Sequence, residues 1–137
     1  MTRGRPPRVG LDEALEIAGR RGEVRPAPGR RGDSYDFIIY ENFRTVFVKM
    51  KRSLTKFSYP LEILNQYQRE IALVSRVPLT QVTGREFWLR SPRGTWQFFQ
   101  ISHDSVVEIQ ADGMYTPPAV LPRVIPSGED FTSEEGE

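Results

Sequence analysis

Asp36 and two lysines, Lys49 and Lys51, form the most informative arrangement of charged residues in the sequence. Asp36 begins one apolar run, and the lysines occupy alternate positions at the end of the next. If Asn42 and Phe43 form a two-residue hairpin loop between the runs, Asp36 lies directly opposite Lys49. An ammonium there neutralises the carboxylate and repels a metal ion, because hard divalent cations need convergent carboxylates. These residues alone indicate a cross-strand ion pair, which contributes about 0–1 kcal/mol when exposed.

Aromatic and guanidinium side chains form a second pattern. A turn after Arg90 gives a hairpin in which one face carries Trp88, Arg90, Trp96 and Phe98, because side chains alternate along a strand. Rings beside a guanidinium group make a platform on which unpaired bases stack, at about 1–3 kcal/mol per base. Two other interpretations stay open. Large rings are commonly covered as core, and Trp and Arg also favour protein interfaces, which predicts a homodimer or another protein partner.

A dense run of cations follows the first hairpin. It consists of Lys49, Lys51, Arg52 and Lys56, and Arg69 lies on the helix predicted after it. Cations in such a run bind phosphate groups with an affinity that falls as salt rises. The run therefore predicts a nucleic-acid surface, and the alternative is a solvated charged face.

Composition excludes several classes of chemistry. The 137 residues include no cysteine and one histidine, which excludes thiol catalysis, disulfides and cysteine-ligated zinc. The net charge of +1 hides an asymmetry, since residues 1–110 hold 18 cations and 12 acids, and residues 111–137 hold one cation and six acids. The first segment is therefore basic, and a balance near zero does not exclude a nucleic-acid partner. No segment resembles a membrane span or a secretory signal, so we expect a cytoplasmic protein without membrane contact.

The periodicity of apolar residues predicts an α/β (α+β) fold. Helical spacing indicates helices over about 11–21 and 60–75. Alternation indicates hairpins over 36–51 and 86–101 and a last strand over 106–110. The predicted order is α-β-β-α-β-β-β, with a small mixed sheet made from the two hairpins.

The side chains expected in the core follow from the same periods. They are Phe37, Ile39, Val46, Val48 and Met50 in the first hairpin, Leu64, Tyr67, Ile71 and Val74 in the second helix, and Phe87, Leu89, Phe99 and Ile101 in the second hairpin. Gln97 is the polar exception on the last face. We expect one domain over 11–112, irregular structure over 25–32, a disordered basic leader over 1–10 and a disordered, proline-rich acidic tail over 113–137.

The order of elements resembles the restriction-endonuclease-like nuclease superfamily, where a helix precedes a β-hairpin bearing an Asp and then Glu-x-Lys. Asp36 matches the Asp, Lys51 matches the Lys, and Lys49 stands where the family has Glu. The resemblance implies that two carboxylates hold Mg²⁺, which activates water against a phosphodiester, while the Lys steadies the developing charge. The stretch over 85–100 also resembles uncharacterised archaeal proteins, which implies no function.

Three functions are compatible with these patterns. The leading hypothesis is a degenerate, nuclease-like domain that binds nucleic acid without catalysis. The second is an active metal-dependent nuclease that uses Asp36 and Lys51, with a displaced carboxylate from Glu41, Glu62 or Glu70 completing a Mg²⁺ site. The third is a protein-interaction or dimerisation module.

Overall fold

A six-stranded mixed sheet forms the centre of the structure. The computed structural model describes residues 8–30, 32–55 and 58–115. The strands are β1 (Glu23–Pro26), β2 (Phe37–Tyr40), β3 (Thr45–Arg52), β4 (Thr83–Arg90), β5 (Trp96–Ile101) and β6 (Val106–Ile109), and the helices are α1 (Arg8–Gly19), α2 (Pro60–Gln66) and α3 (Gln68–Val74). Strands adjacent in sequence are adjacent in the sheet. Among the described strands only β3 and β4 pair in parallel, and α2 and α3 form the crossover between them.

The predicted registers of both hairpins are confirmed. Phe37 pairs with Val48 across β2 and β3, and Trp88 pairs with Phe98 across β4 and β5. The predicted apolar face of the first hairpin is buried, with Met50 partly so. Because the side-chain period is two, a one-residue slip would have exposed these faces, so burial fixes the register.

β1 makes the sheet larger than predicted. The sequence predicts irregular structure from Arg25 onward, whereas Arg25 and Pro26 still pair with β2. Pro26 is tolerated because it is the last residue of an edge strand, where its missing N–H breaks no ladder. Val24 supplies an apolar side chain that packs below α1. One inward-facing apolar residue in a four-residue strand is too short a pattern to predict the strand from sequence.

The predicted second helix is in fact two helices that meet at Tyr67. Tyr67 leaves the helical region, with φ −123° and ψ 40°. Its ring lies 5.3 Å from that of Phe87, and its hydroxyl donates to Ser53 Oγ at 3.3 Å. Ile63 is buried and Leu64 is exposed. The predicted stripe is therefore wrong at Leu64, because Ile63 lies four residues before Tyr67 and fits the same helical period.

The sheet separates two apolar clusters and gives the structure three layers. On one face α1 packs through Ala14 and Ala18, and on the other α2 and α3 cover β4 and β5. Strand β4 contributes to both clusters, since Trp88 points to α1 whereas Phe87 and Leu89 point to α2 and α3. Residues 84–89 of this strand are all buried, as expected for a central strand with helices on both faces of the sheet.

The ends of the predicted domain extend slightly further than expected. α1 begins at Arg8, inside the predicted leader, and the backbone N–H of Gln110 donates to the Met114 carbonyl at 2.8 Å, inside the predicted tail. The rest of the leader and of the tail lies outside the described residues. None of the helices in the described part of the chain has the length and apolarity needed to cross a bilayer.

Candidate nucleic-acid interface

Asp36 and Lys49 form the predicted ion pair beside the carboxyl half of β3. Lys49 Nζ lies 3.6 Å from Asp36 Oδ1 and donates to the Asp33 carbonyl at 3.0 Å. Asp36 Oδ2 accepts a hydrogen bond of 2.7 Å from the backbone N–H of Met50. Burial raises the pKa of Asp36, the Met50 hydrogen bond and the Lys49 charge lower it, and the net shift is upward. The carboxylate is already bound to a lysine and a backbone amide.

The carboxylates needed for a Mg²⁺ site have other partners. Glu41 binds Arg21 and Arg44, Glu62 accepts from the backbone N–H of Tyr59, and Glu70 pairs with Lys51. Among the residues that the structure describes, no group of three or more His, Asp or Glu side chains could hold a metal ion. One carboxylate beside an ammonium is not a donor set for Mg²⁺, which takes oxygen ligands. The residues therefore do not fit the metal that the resemblance implies.

A cleft with a positive lining opens at the carboxyl end of β3. Its volume is about 370 Å³, and its lining is Lys51, Arg52, Leu54, Thr55, Gln66 and Tyr67. Lys51 is half exposed and lies 3.1 Å from Glu70, whereas Arg52 is exposed and has no ion-pair partner in the described ranges. None of the lining residues is acidic. The cleft lies outside the carboxyl end of β3, which pairs in parallel with β4.

Two buried serines hold the loop that borders this cleft. Ser53 Oγ donates to the Thr55 carbonyl at 3.0 Å and accepts from the Thr55 N–H at 3.1 Å. Ser58 donates through its N–H to Gln97 Oε1, and its carbonyl accepts from Gln97 Nε2, both at 2.9 Å. Gln97, the polar exception on an apolar face, therefore anchors the loop after β3. The sequence signal for this role is that Gln97 is the polar residue on an otherwise apolar strand face.

The predicted aromatic platform is not open to a base, because α1 covers it. Trp88 is completely buried, and its ring contacts Trp96 with centroids 6.1 Å apart. Glu13 of α1 accepts hydrogen bonds from Trp96 Nε1 at 3.0 Å and from Arg90 Nε at 2.9 Å. The Arg90 and Trp96 hydrogen bonds hold the pKa of Glu13 below its ordinary value. This face is therefore part of the core beneath α1, the alternative interpretation of the aromatic pattern, and is not a platform for unpaired bases.

A network of ion pairs, absent from the sequence predictions, lies at the amino end of β3. Arg21 donates through Nη1 and Nη2 to the two carboxylate oxygens of Glu86, each at 2.8 Å, and these side chains are 3% and 2% exposed. Glu41 accepts from Arg21 Nε at 2.8 Å and from Arg44 Nε at 2.9 Å. Trp88 Nε1 donates to Glu86 at 2.9 Å. Burial lowers the pKa of Arg21, but Glu86 and Glu41 outweigh it and hold that pKa above its ordinary value.

The remaining predicted phosphate ligands do not all join the cleft. Arg69 is exposed on α3 but is not among the cleft residues, and Lys56 lies outside the described residues. Lys49 is held by Asp36 and Asp33. The chain matches no protein-family model and none of the curated proteins. The site must therefore be interpreted from its own chemistry.

Proposed function

We propose that this chain is a non-catalytic nucleic-acid-binding domain that takes phosphate groups in the cleft beside Lys51 and Arg52. The observation that carries the proposal is a lining with two cations and no acid. Arg52 offers a planar fork of donors for phosphate oxygens, and Lys51 offers a mobile point charge. Arg52 is exposed and has no ion-pair partner in the described ranges, so a phosphate binds it without breaking a pair, whereas at Lys51 the phosphate competes with Glu70.

The order of elements supports a nuclease-like origin for this domain. A helix precedes the hairpin that carries Asp36, and helices and further strands follow it, as the resemblance implies. Lys49 stands in place of the family's Glu and is paired with Asp36. Metal-assisted hydrolysis needs a metal to generate the attacking hydroxide. Binding without cleavage is therefore the function that the residues support best.

Fluorescence anisotropy with single- and double-stranded oligonucleotides over a salt series tests the proposal. We expect binding at low salt that weakens as salt rises. Arg52→Ala should weaken binding and reduce the slope of log affinity against log salt by about 0.9 on a duplex, the effect of one lost phosphate contact. Arg20→Ala is the matched control, because Arg20 is 71% exposed, follows α1 and does not line the cleft.

Three results would contradict the proposal. Absence of binding at low salt, or equal losses in the two arginine variants, would remove the cleft as a phosphate site. Cleavage of a labelled oligonucleotide in Mg²⁺ that disappears in Asp36→Asn would establish the nuclease alternative instead.

A further inference from the structure

In the described residues between β3 and α2, the usual distribution of polar and apolar side chains is reversed. Ser53 and Ser58 are buried, at 6% and 1% exposure, whereas Leu54 between them is 94% exposed. Leu61, one residue into α2, is 81% exposed as well. A buried polar group or an exposed apolar cluster is the informative departure from ordinary burial, because a single exposed leucine by itself is common.

Hydrogen bonds fix this reversed arrangement. The backbone N–H of Ser53 donates to the Arg90 carbonyl at 2.8 Å, and its hydroxyl accepts from Tyr67 at 3.3 Å. Ser58 is held on both its N–H and its carbonyl by Gln97. With the serines anchored inward, Leu54 is held outward on the rim of the cleft.

The charges around Leu54 indicate what it contacts. Leu54, Lys51 and Arg52 line the same cleft, so an apolar side chain projects beside two cations. Duplex nucleic acid combines anionic phosphates with an apolar base stack, and proteins part base steps with inserted leucines. An anionic membrane offers a similar combination, but the helix that follows, α2, is seven residues long and carries the acid Glu62 and no cation, which disfavours contact with anionic headgroups.

We infer that Leu54 is an apolar wedge that enters the base stack of double-stranded nucleic acid while Lys51 and Arg52 hold the adjacent phosphates. This inference rests on the proposed function and adds to it the duplex as partner and the unstacked base step as the bound state. Steps that unstack easily, such as TA, are then bound more tightly than stiff A-tracts.

A DNA duplex with 2-aminopurine beside a central TA step tests the wedge, because this base fluoresces more when unstacked. The wild-type chain should raise the fluorescence on binding. Leu54→Ala should bind about tenfold more weakly, lose the fluorescence rise and keep the salt slope, since it removes apolar contact and no charge. Phe43→Ala is the matched control, because Phe43 is 89% exposed in the β2–β3 turn and does not line the cleft.

The outcomes separate the wedge from the phosphate site. If Arg52→Ala weakens binding while Leu54→Ala behaves as wild type in affinity and fluorescence, the wedge is wrong and the proposed function stands. If the wild-type chain binds no oligonucleotide at low salt, both fail. Three other outcomes would each overturn the wedge. The first is an equal loss of affinity in Phe43→Ala and Leu54→Ala. The others are Leu54-dependent binding to phosphatidylserine vesicles without a fluorescence rise on the duplex, and a dimer in light scattering that Leu54→Ala dissociates.

Discussion

At the amino end of β3, Arg21 binds Glu86 and Glu41 inside the protein, whereas at its carboxyl end Arg52 is exposed and meets no carboxylate in the described part of the chain. Two arginines near opposite ends of this strand thus lie in opposite environments. A buried charge is tolerated only when it is paired and hydrogen-bonded, so the first arrangement is fully matched within the fold. An exposed cation remains hydrated and contributes little to stability.

The difference shows which end of β3 is available to a ligand. At the amino end, Arg21 has both of its terminal nitrogens and Nε bonded, and a ligand would have to displace carboxylates. At the carboxyl end, a phosphate displaces only water and, at Lys51, a half-exposed contact with Glu70. The amino end is therefore closed by its own ion pairs, and the carboxyl end is the one open to a ligand.

The largest effect should come from breaking the buried network. Arg21→Met removes both hydrogen bonds to Glu86 and leaves that carboxylate buried without its main partner. The free energy of unfolding should fall by about 3–5 kcal/mol, measured by urea denaturation with tryptophan fluorescence. Arg20→Met, at the neighbouring exposed position, should change it by less than about 0.5 kcal/mol. Similar losses in both variants would mean that the network does not stabilise the fold.

A smaller effect should follow from releasing the loop at the carboxyl end. Gln97→Leu leaves the backbone N–H and carbonyl of buried Ser58 without partners, which should cost about 1–3 kcal/mol in the same denaturation experiment. Affinity for the duplex should also fall, because Leu54 loses one of its two flanking anchors, the one at Ser58. Gln100→Leu is the control, because Gln100 lies on the same strand and makes neither bond to Ser58. It should lower neither the stability by this mechanism nor the affinity. A stability loss in Gln97→Leu with unchanged affinity would separate the loop from the binding site.

The local patterns of this sequence predict the parts of the fold that depend on neighbours in the chain. The registers of both hairpins follow from alternation, because burying Phe37 or Trp88 on the wrong face would expose the rest of the strand. The Asp36–Lys49 pair follows from the same register. Each of these predictions needs only a turn and a period of two.

Contacts between distant segments were not predictable in this way. Arg21 and Glu86 lie 65 positions apart in the sequence. From its neighbours alone, Arg21 resembles an ordinary exposed cation at the end of a helix. Leucine is a common core residue, but Leu54 is exposed. The serines on either side of it are anchored by distant side chains, Ser53 by Tyr67 and Ser58 by Gln97. The aromatic face of Trp88 could be assigned, but whether a helix covers it depends on packing that no local period encodes.

The smallest effect separates the two ends of β3 by pH. Burial raises the pKa of Glu41, but the bonds from Arg44 and Arg21 outweigh it, so this pKa is lowered from 4.5. The pKa of Asp36 is raised from 3.8, by burial first. The native state therefore binds fewer protons than the unfolded state at Glu41 and more at Asp36. Stability due to Glu41 is lost as pH falls through its native pKa, whereas the Asp36 contribution is lost as pH rises from 3.8 through its native pKa.

Two conservative variants should show these opposite signs. Relative to wild type, Glu41→Gln should lose more stability at neutral pH than in acid, because only neutral pH has the ionised carboxylate between its arginines. Asp36→Asn should lose more stability in acid than at neutral pH. In acid, protonation of Asp36 stabilises the wild-type chain, and the variant has no carboxyl group to protonate at this position. Urea midpoints at the two pH values measure both differences. If both variants lose more stability at the same pH, the two carboxylates have similar environments. The contrast between the two ends of β3 would then hold for the arginines and not for Glu41 and Asp36.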